Sequence, residues 1–580
     1  MKKTQQIVII LAMTVISSFV LAQAPPLEWV VSGGSDDLDY GSNITTDQLG
    51  NVYTAGCFRN TVDFDPGFGE RELSAFDAFG DAFIQKLDPF GNFVWAISIV
   101  GEGVSAPHSI TVDDEGNVYV VGRFTQTADF DPGSSVHNLT AFGSAGFLLK
   151  LDASGKFMWV QKIGGSGWDE VNSIALDNNG NIYLTGAFWG NVDFDPRLGV
   201  MNLSSMGQDD IFITKLNSLG HLVWAKAIGS ASIDRGLSIA VDVSQNVYVT
   251  GMFLGTMDFD PGPNVDIREL GIESSEDAFV MKLDSLGGFC WANTIGSKSY
   301  NRGHELTIDS HGNVVVAGFF FGVVDFDPGP GVFNLTSSLD GNSFHSKDIF
   351  IQKLDENGSM IWTKSYGGPS DYDNAWSLDT DIFGNIYVVG DLSETVDFDP
   401  GIDTYELESN GGIDIFIQKL DASGNLIWVE SIGDLNFEQV RHVALDDQGN
   451  IFVTGNFNGE LDFDWGVGET KLSSNGNGDF YTAKFTQVFP VAIEELEENN
   501  LLQVYPNPTE GIVSLKMDDG NGSIQSVKLV DMLGKEMFQQ DFSTGKIEMT
   551  IDLSPLKSGI YFVQTLMDTG KSNVDRVVKY

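Results

Sequence analysis

Cysteine is nearly absent. The 580 residues include two, Cys57 and Cys290, too few for a disulfide framework, so packing must hold the fold. Basic residues are scarce as well: Lys and Arg number 32 against 81 Asp and Glu, for a formal net charge of −49. That balance excludes the basic surface that nucleic-acid binding requires. It suits solubility outside the cell, with cation binding as the sharper alternative. Long apolar runs are missing except at the N-terminus, where Lys2 and Lys3 precede an apolar stretch from Ile7 to Leu21 and the small residues Ala22 and Ala24. This pattern predicts a secretory signal peptide over residues 1–24, cleaved near 22–24. The stretch is shorter than the ~20 residues of a spanning helix.

What the chain has in abundance is repetition. Trp29, Trp95, Trp159, Trp224, Trp291, Trp362 and Trp428 recur at spacings of 64 to 71 residues. The repeats share a tryptophan strand, an Asp-x-x-Gly-Asn hairpin, an Asp-Phe-Asp motif and a strand ending in Lys-Leu-Asp, with single replacements such as Gln245, Asn217 and Phe485. A period this long, filled with β-forming residues, predicts stacked or radially arranged sheets. In the third repeat, Ser173–Leu176 and Ile182–Gly186 flank the Asp177–Asn181 turn, and Asp210–Leu216 and Leu222–Ile228 flank a second turn. These are strands a to d of one antiparallel sheet. The chain begins with a d-type strand at Trp29 and finishes its repeats with the c-type strand at 479–484. One N-terminal strand can therefore join three C-terminal ones. The expected fold is all-β: a seven-bladed β-propeller over residues 25–486 with 1+3 strand closure of the last blade.

The run Ser-Ile-Ala-Val-Asp, Asn-Val-Tyr-Val-Thr-Gly, Asp-Ala-Phe-Val-x-Lys-Leu-Asp between 238 and 284 resembles the bacterial β-propeller repeat family called SBBP. The resemblance covers all seven repeats and implies fold without implying activity. The Asp-Phe-Asp-Pro-Gly insertion between strands b and c departs from the compact form and accounts for the long period.

Up-and-down strand order puts the short a–b and c–d turns on one face and the long b–c and d–a connections on the other, which is the candidate binding face. Five residues before each a–b turn Asp stand Ser42, His108, Asn172, Leu237, His304, Trp376 and Arg441. Two residues earlier stand Tyr40, Ala106, Glu170, Arg235, Arg302, Asn374 and Gln439. This mixed ring is expected at the mouth of a central channel and suits a glycan or a peptide loop, unless it only fills and solvates the mouth.

The Asp-Phe-Asp pairs are Asp63 and Asp65, Asp129 and Asp131, Asp193 and Asp195, Asp258 and Asp260, Asp325 and Asp327, Asp397 and Asp399, and Asp462 and Asp464. In an extended triplet both acids face one way and the Phe the other. Two readings stand: carboxylates that begin a Ca2+ shell, or a turn whose acids accept backbone hydrogen bonds.

Nothing marks an enzyme. The histidines, His108, His137, His221, His304, His311, His345 and His442, are scattered, and no Gly-x-Ser-x-Gly elbow, phosphate-cradling loop or sialidase-type Asp box occurs. The expected role is non-catalytic binding of an extracellular glycan or protein. A secreted polysaccharide-degrading enzyme is the alternative, distinguished by one asymmetric pocket where acids converge. The recurring tryptophans read as packing residues, and Cys290, which stands where other repeats have Val94, Met158, Val223, Ile361 and Ile427, reads as a buried apolar substitute.

After an acidic linker (487–500), residues 501–580 read as a small β-sandwich. Tyr505-Pro506-Asn507-Pro508, Leu529–Lys535, Leu553–Phe562 and the terminal Val577–Tyr580 occur there in order. They resemble the type A sorting domain of the type IX secretion system. The resemblance implies recognition by that translocon and a mature protein secreted by, or held on the outer surface of, a Gram-negative bacterium.

Overall fold

The computed structural model describes residues 23–195, 199–269, 276–296, 299–401, 403–466 and 468–487, and in the C-terminal part 502–507, 509, 511–517, 523–531, 536–556, 559–567 and 572–579. The expected signal peptide, up to residue 22, and the expected linker from 488 onward lie outside the described residues. Among the described residues every regular element is a β-strand, and no helix is long and apolar enough to cross a membrane. The chain divides into two compact units at residues 487 and 488.

The larger unit repeats one sheet. In the first repeat, strands a to d are Tyr40–Thr46, Val52–Phe58, Asp81–Leu87 and Phe93–Gly101. In the third they are Glu170–Leu176, Ile182–Asp193, Asn202–Leu216 and Leu222–Ile228. The first and second sheets are bridged where Val100 and Gly101 pair with Asp129 and Ala128. Strands a, b and c of the seventh repeat are Gln439–Leu445, Ile451–Phe457 and Asp479–Phe485. The N-terminal strand Leu27–Gly33 pairs antiparallel with the last of these, Trp29 opposite Lys484 and Gly33 opposite Phe480.

The hydrophobic cores lie between consecutive sheets, because a strand pair buried on both faces needs a neighbour on each. Tyr53 and Ile84 of the first sheet pack with Val118, Val120 and Phe147 of the second. Ile44, Val52 and Leu87 of the first pack with Ala444 and Phe452 of the seventh.

Each repeat motif performs one task in this packing. Asp47 Oδ1 accepts from the backbone N–H of Leu49 and Asn51, both at 2.9 Å, and Oδ2 accepts from Asn51 Nδ2 at 2.7 Å and the Tyr53 hydroxyl at 3.0 Å. Lys86, from the Lys-Leu-Asp motif, lies 3.8 Å from the same carboxylate and 4.7 Å from the centre of the Tyr53 ring. The tryptophans tie one sheet to the next: their indole N–H groups donate across to turn carbonyls, Trp29 to Pro89 at 3.1 Å, Trp95 to Ala153 at 3.2 Å and Trp291 to Glu356 at 3.1 Å. The turn glycine beneath six of these indoles, all but Trp428, has no alternative. Gly358 has φ +81°, and a Cβ there would lie 2.8 Å from Trp291.

In the fifth repeat Val315 replaces the tyrosine, and Lys353 instead meets Asp309 directly at 2.8 Å, both side chains almost fully buried. Replacing Lys353 by Met strands a buried carboxylate and should cost about 3 kcal/mol or more. Lys86→Met, at a looser and wetter pair, should cost less than half as much. Urea midpoints for the two variants check this, and equal shifts would refute it.

Cys290 corrects a sequence expectation. It is exposed, as are Val94, Met158, Val223 and Ile361 at the same place in other repeats. Strand d is the outermost of its sheet; Trp291 points toward the neighbouring turn, so the adjacent residue points away from it into water. Cys57 is buried, and both thiols are free.

In the smaller unit a three-stranded sheet (Leu502–Tyr505, Ile512–Met517, Glu548–Asp552) and a four-stranded sheet (Ile524–Asp531, Glu536–Lys546, Gly559–Met567, Ser572–Lys579) share a core of Val513, Leu515, Ile551, Val527, Leu529, Val563 and Val577.

Candidate functional site

The ring of residues five before the turn Asp has a structural cause. In every inner strand the pairing register slips by one residue there: at Ser42, His108, Asn172, Leu237, His304, Trp376 and Arg441. A bulge leaves its residue unpaired and re-aims the side chain. Three of these side chains reach the backbone of the next sheet: His108 Nδ1 to Val171 O at 3.1 Å, Asn172 Nδ2 to Gly236 O at 3.0 Å, and His304 Nδ1 to Ala375 O at 2.9 Å. Ser42, His108, Asn172, Leu237 and Arg441 line a cavity of about 410 Å³, together with Glu305, Asp379 and His442.

His304 and Trp376 are engaged with each other. Their rings stack at 4.7 Å and 9°, Arg441 lies over the same indole at 5.3 Å, and Trp376 Nε1 donates to Asp391 at 2.6 Å. Burial lowers His304 to about 3 and His442 to about 4, so both are neutral, and raises Glu305 and Asp391 to about 7.

The second set disperses. Tyr40 lies beside Cys57, and the thiol and burial together push its hydroxyl far above the usual range; burial raises Cys57 to about 11. Arg302 donates to Glu276 at 2.6 Å and lies 5.9 Å from the Phe319 ring centre. Arg235 turns instead into a different cavity.

The Asp-Phe-Asp acids serve the local backbone. Asp63 Oδ1 accepts from Asp65 N at 3.0 Å and Arg71 N at 2.7 Å, and Asp65 Oδ1 accepts from Gly67 N at 2.8 Å. The first-acid pattern recurs at Asp129, Asp193, Asp258, Asp325, Asp397 and Asp462, and the second at Asp131, Asp260, Asp327, Asp399 and Asp464. The intervening phenylalanines are buried. Among the described residues no group of three or more His, Cys, Asp or Glu is arranged to hold a metal ion.

The cavity that breaks the repeat is elsewhere. A pocket of about 490 Å³ opens beside the third sheet, lined by Trp168, Trp189, Glu170, Gln208, Asp209 and Arg235, with Ser144, Asp169 and Ala187. Trp168 and Trp189 are 58% and 46% exposed, in contrast to the engaged Trp376. Their placement follows from Asp169, a buried acid just before strand a. It accepts from Trp189 N at 2.9 Å and Gly165 N at 2.7 Å. Ser144 N donates to Gly167 O, and Asp169 N to Ser144 O, each at 3.2 Å. Gly167 permits the close approach, since a Cβ there would lie 2.6 Å from Trp189 O. On the other wall, Arg235 holds Asp209 at 2.8 Å and Glu170 at 3.5 Å.

Sequence reasoning placed Glu170 and Arg235 near a mouth but missed both tryptophans. The available signal was that Trp168 and Trp189 are tryptophans outside the repeat register. It also missed the acids that cap strand a: Asp39, Asp234 and Asp373 accept from backbone N–H groups twenty residues on, as Asp169 does.

Residues 33–56 and 159–194 match the family described as Beta-propeller repeat, and residues 503–579 match the Secretion system C-terminal sorting domain. An uncharacterized WD repeat-containing protein of Acanthamoeba polyphaga mimivirus is 25% identical over 507 residues, which cover 74% of this chain and 36% of that protein. The regulatory protein FlaEY of Caulobacter vibrioides is 26% identical over 203 residues, covering 34% of this chain and 20% of its own length. The chain thus spans about a third and a fifth of these relatives. A crystal structure of a protein of unknown function from Dyadobacter fermentans aligns at 10% identity and TM-score 0.34, over 79% of this chain and 98% of the other. The chain therefore carries β-propeller repeats followed by a secretion-system C-terminal sorting domain, which marks it as a secreted or cell-surface protein.

Proposed function

We propose that the seven sheets form one closed ring, completed by the strand Leu27–Gly33, and that this ring is a non-catalytic scaffold binding an extracellular glycan or protein. In this reading the sorting domain is handled by the type IX translocon. The pairing of Trp29 with Lys484 and the shared packing of the first and seventh sheets support closure. The observation that carries the binding role is the Trp168–Trp189 pocket, because two tryptophans outside the repeat register line it.

The pocket contains three acids, Asp169, Glu170 and Asp209, and so touches the enzyme alternative. Glu170 and Asp209 flank the Arg235 guanidinium. Both are thereby paired with a cation on the pocket wall, whereas glycoside hydrolysis needs two carboxyl groups free to flank the scissile bond. Asp169 is buried with a raised pKa, burial being the main cause, but it is committed to the backbone N–H groups of Trp189 and Gly165. The arrangement therefore favours holding a ligand over cleaving it.

The test is a glycan array on the full chain, followed by reducing-end assays on each polysaccharide that binds. Binding without product is expected. New reducing ends that disappear in Glu170→Gln would overturn the non-catalytic reading.

A further inference from the structure

We infer that the Trp168–Trp189 pocket takes a neutral pyranose chain, an inference that rests on the binding role proposed above. Two half-exposed indoles, Trp168 on the connection before strand a and Trp189 on strand b, offer flat apolar faces, the partner that the C–H face of a pyranose ring requires. The polar groups of the same pocket match the rim of that ring. Glu170 and Asp209 accept, the Arg235 guanidinium donates, and Gln208 can do both. A volume of about 490 Å³ falls within the roughly 300–1,000 Å³ typical of small-ligand sites.

Charge narrows the choice. An acidic polysaccharide would approach a protein of net charge −49 and meet two carboxylates against one guanidinium. A cationic peptide would be drawn by the acids and indoles, but Arg235 already sits between the carboxylates and presents the wrong sign to it.

The walls are preorganised, which favours binding without rearrangement. Asp169 joins the Trp168 segment to the Trp189 backbone. The segment carrying Asp209 is tied to the strand that follows, Asp234 N donating to Asp209 O at 2.7 Å. The neighbouring second repeat has Ser105 and Ala145 where the first has the buried acids Asp39 and Asp81, and it places Ser144 against the Trp168 segment instead.

The experiment is calorimetry of the full chain with hexaoses of β-1,4-linked glucose, xylose and mannose, with polygalacturonate and oligolysine as charged probes. At least one neutral hexaose should bind. Trp168→Ala and Trp189→Ala should each raise its Kd at least tenfold with unchanged melting temperature, whereas Trp168→Phe should stay within about threefold. Leu49→Ala, at an exposed turn of the first repeat, should change nothing. Trp168-dependent binding of polygalacturonate or oligolysine, without any neutral hexaose, would overturn the ligand class and leave the pocket's binding role standing. Binding of a hexaose that is indifferent to both tryptophan variants would overturn the site. No Trp168-dependent binding of any probe would overturn both.

Discussion

A chain lacking residues 23–33 is expected to lose its cooperatively folded monomer. That segment carries strand Leu27–Gly33, whose partner Asp479–Phe485 is a fully buried strand. Without it, the row of N–H and C=O groups on Asp479–Phe485 becomes an exposed edge, and such edges pair with other chains. The same deletion removes Trp29, which donates to Pro89 in the first sheet and stacks beside Gly91. It also removes Ala24, packed in the core of the seventh sheet. One segment therefore contributes a strand to the seventh sheet and a staple to the first. The truncated protein should elute as aggregate, or melt at least about 10 °C lower, and a synthetic peptide of residues 23–33 should restore part of the loss. Trp29→Ala alone should cost about 2–4 kcal/mol, because it creates a gap while keeping the ladder. An unchanged melting temperature in the truncated protein would sink the closed-ring reading while leaving the individual sheets intact.

What could be read from the sequence divides according to what recurs. The strand order, the turn aspartates and the tryptophan staples were legible because seven copies average out local accident. Asp47, Asn51, Tyr53 and Lys86 form one network in space, and their spacing repeats with it. The mouth positions were found by the same alignment, although the bulge that sets them apart is a backbone event with no residue signature. Cys290 was misread for an opposite reason. Its counterparts Val94, Met158, Val223 and Ile361 are apolar yet exposed, so apolar substitution did not signal burial. The pocket was invisible because it draws Trp168, Trp189, Asp209 and Arg235 from four separate segments, a connection, two strand interiors and a strand start, that the repeat alignment does not bring together. The acids before strand a were hidden by replacement: Ser105, Asn301 and Glu438 stand where other repeats have Asp.

Those hidden acids lead to the second large effect: the protein should be less stable at pH 8.5 than at pH 6.5. Burial raises Asp373 and Asp348 to about 7 and Glu438 to about 8. Asp391 and Glu305 are also raised to about 7, mainly by burial. Lys347 and Arg441 face this cluster and pull Asp391 down, and Lys347 does the same for Asp373, without cancelling the effect of burial. A carboxyl with a raised folded pKa holds a proton that the unfolded chain has released. Its contribution is complete below the usual value near 4 and is lost as pH rises through the folded value. The buried histidines act in the other direction, since His304, His442 and His108 are lowered from 6.5 by burial. Their effect appears only as pH falls below about 6.5. The interval from 6.5 to 8.5 therefore isolates the carboxyls, and the melting temperature should drop by about 5 °C or more across it. Asp373→Asn provides the control. Asp373 accepts from Gly368 N at 2.7 Å and Ser393 N at 3.0 Å, and an amide keeps one acceptor without an ionisable proton, as the protonated acid does. The variant should match the wild type near pH 4, where Asp373 is protonated in both states, and exceed it increasingly up to pH 8.5. A wild-type melting temperature that rises over this interval, or a variant with the same slope, would show that these acids enter the folded state already ionised.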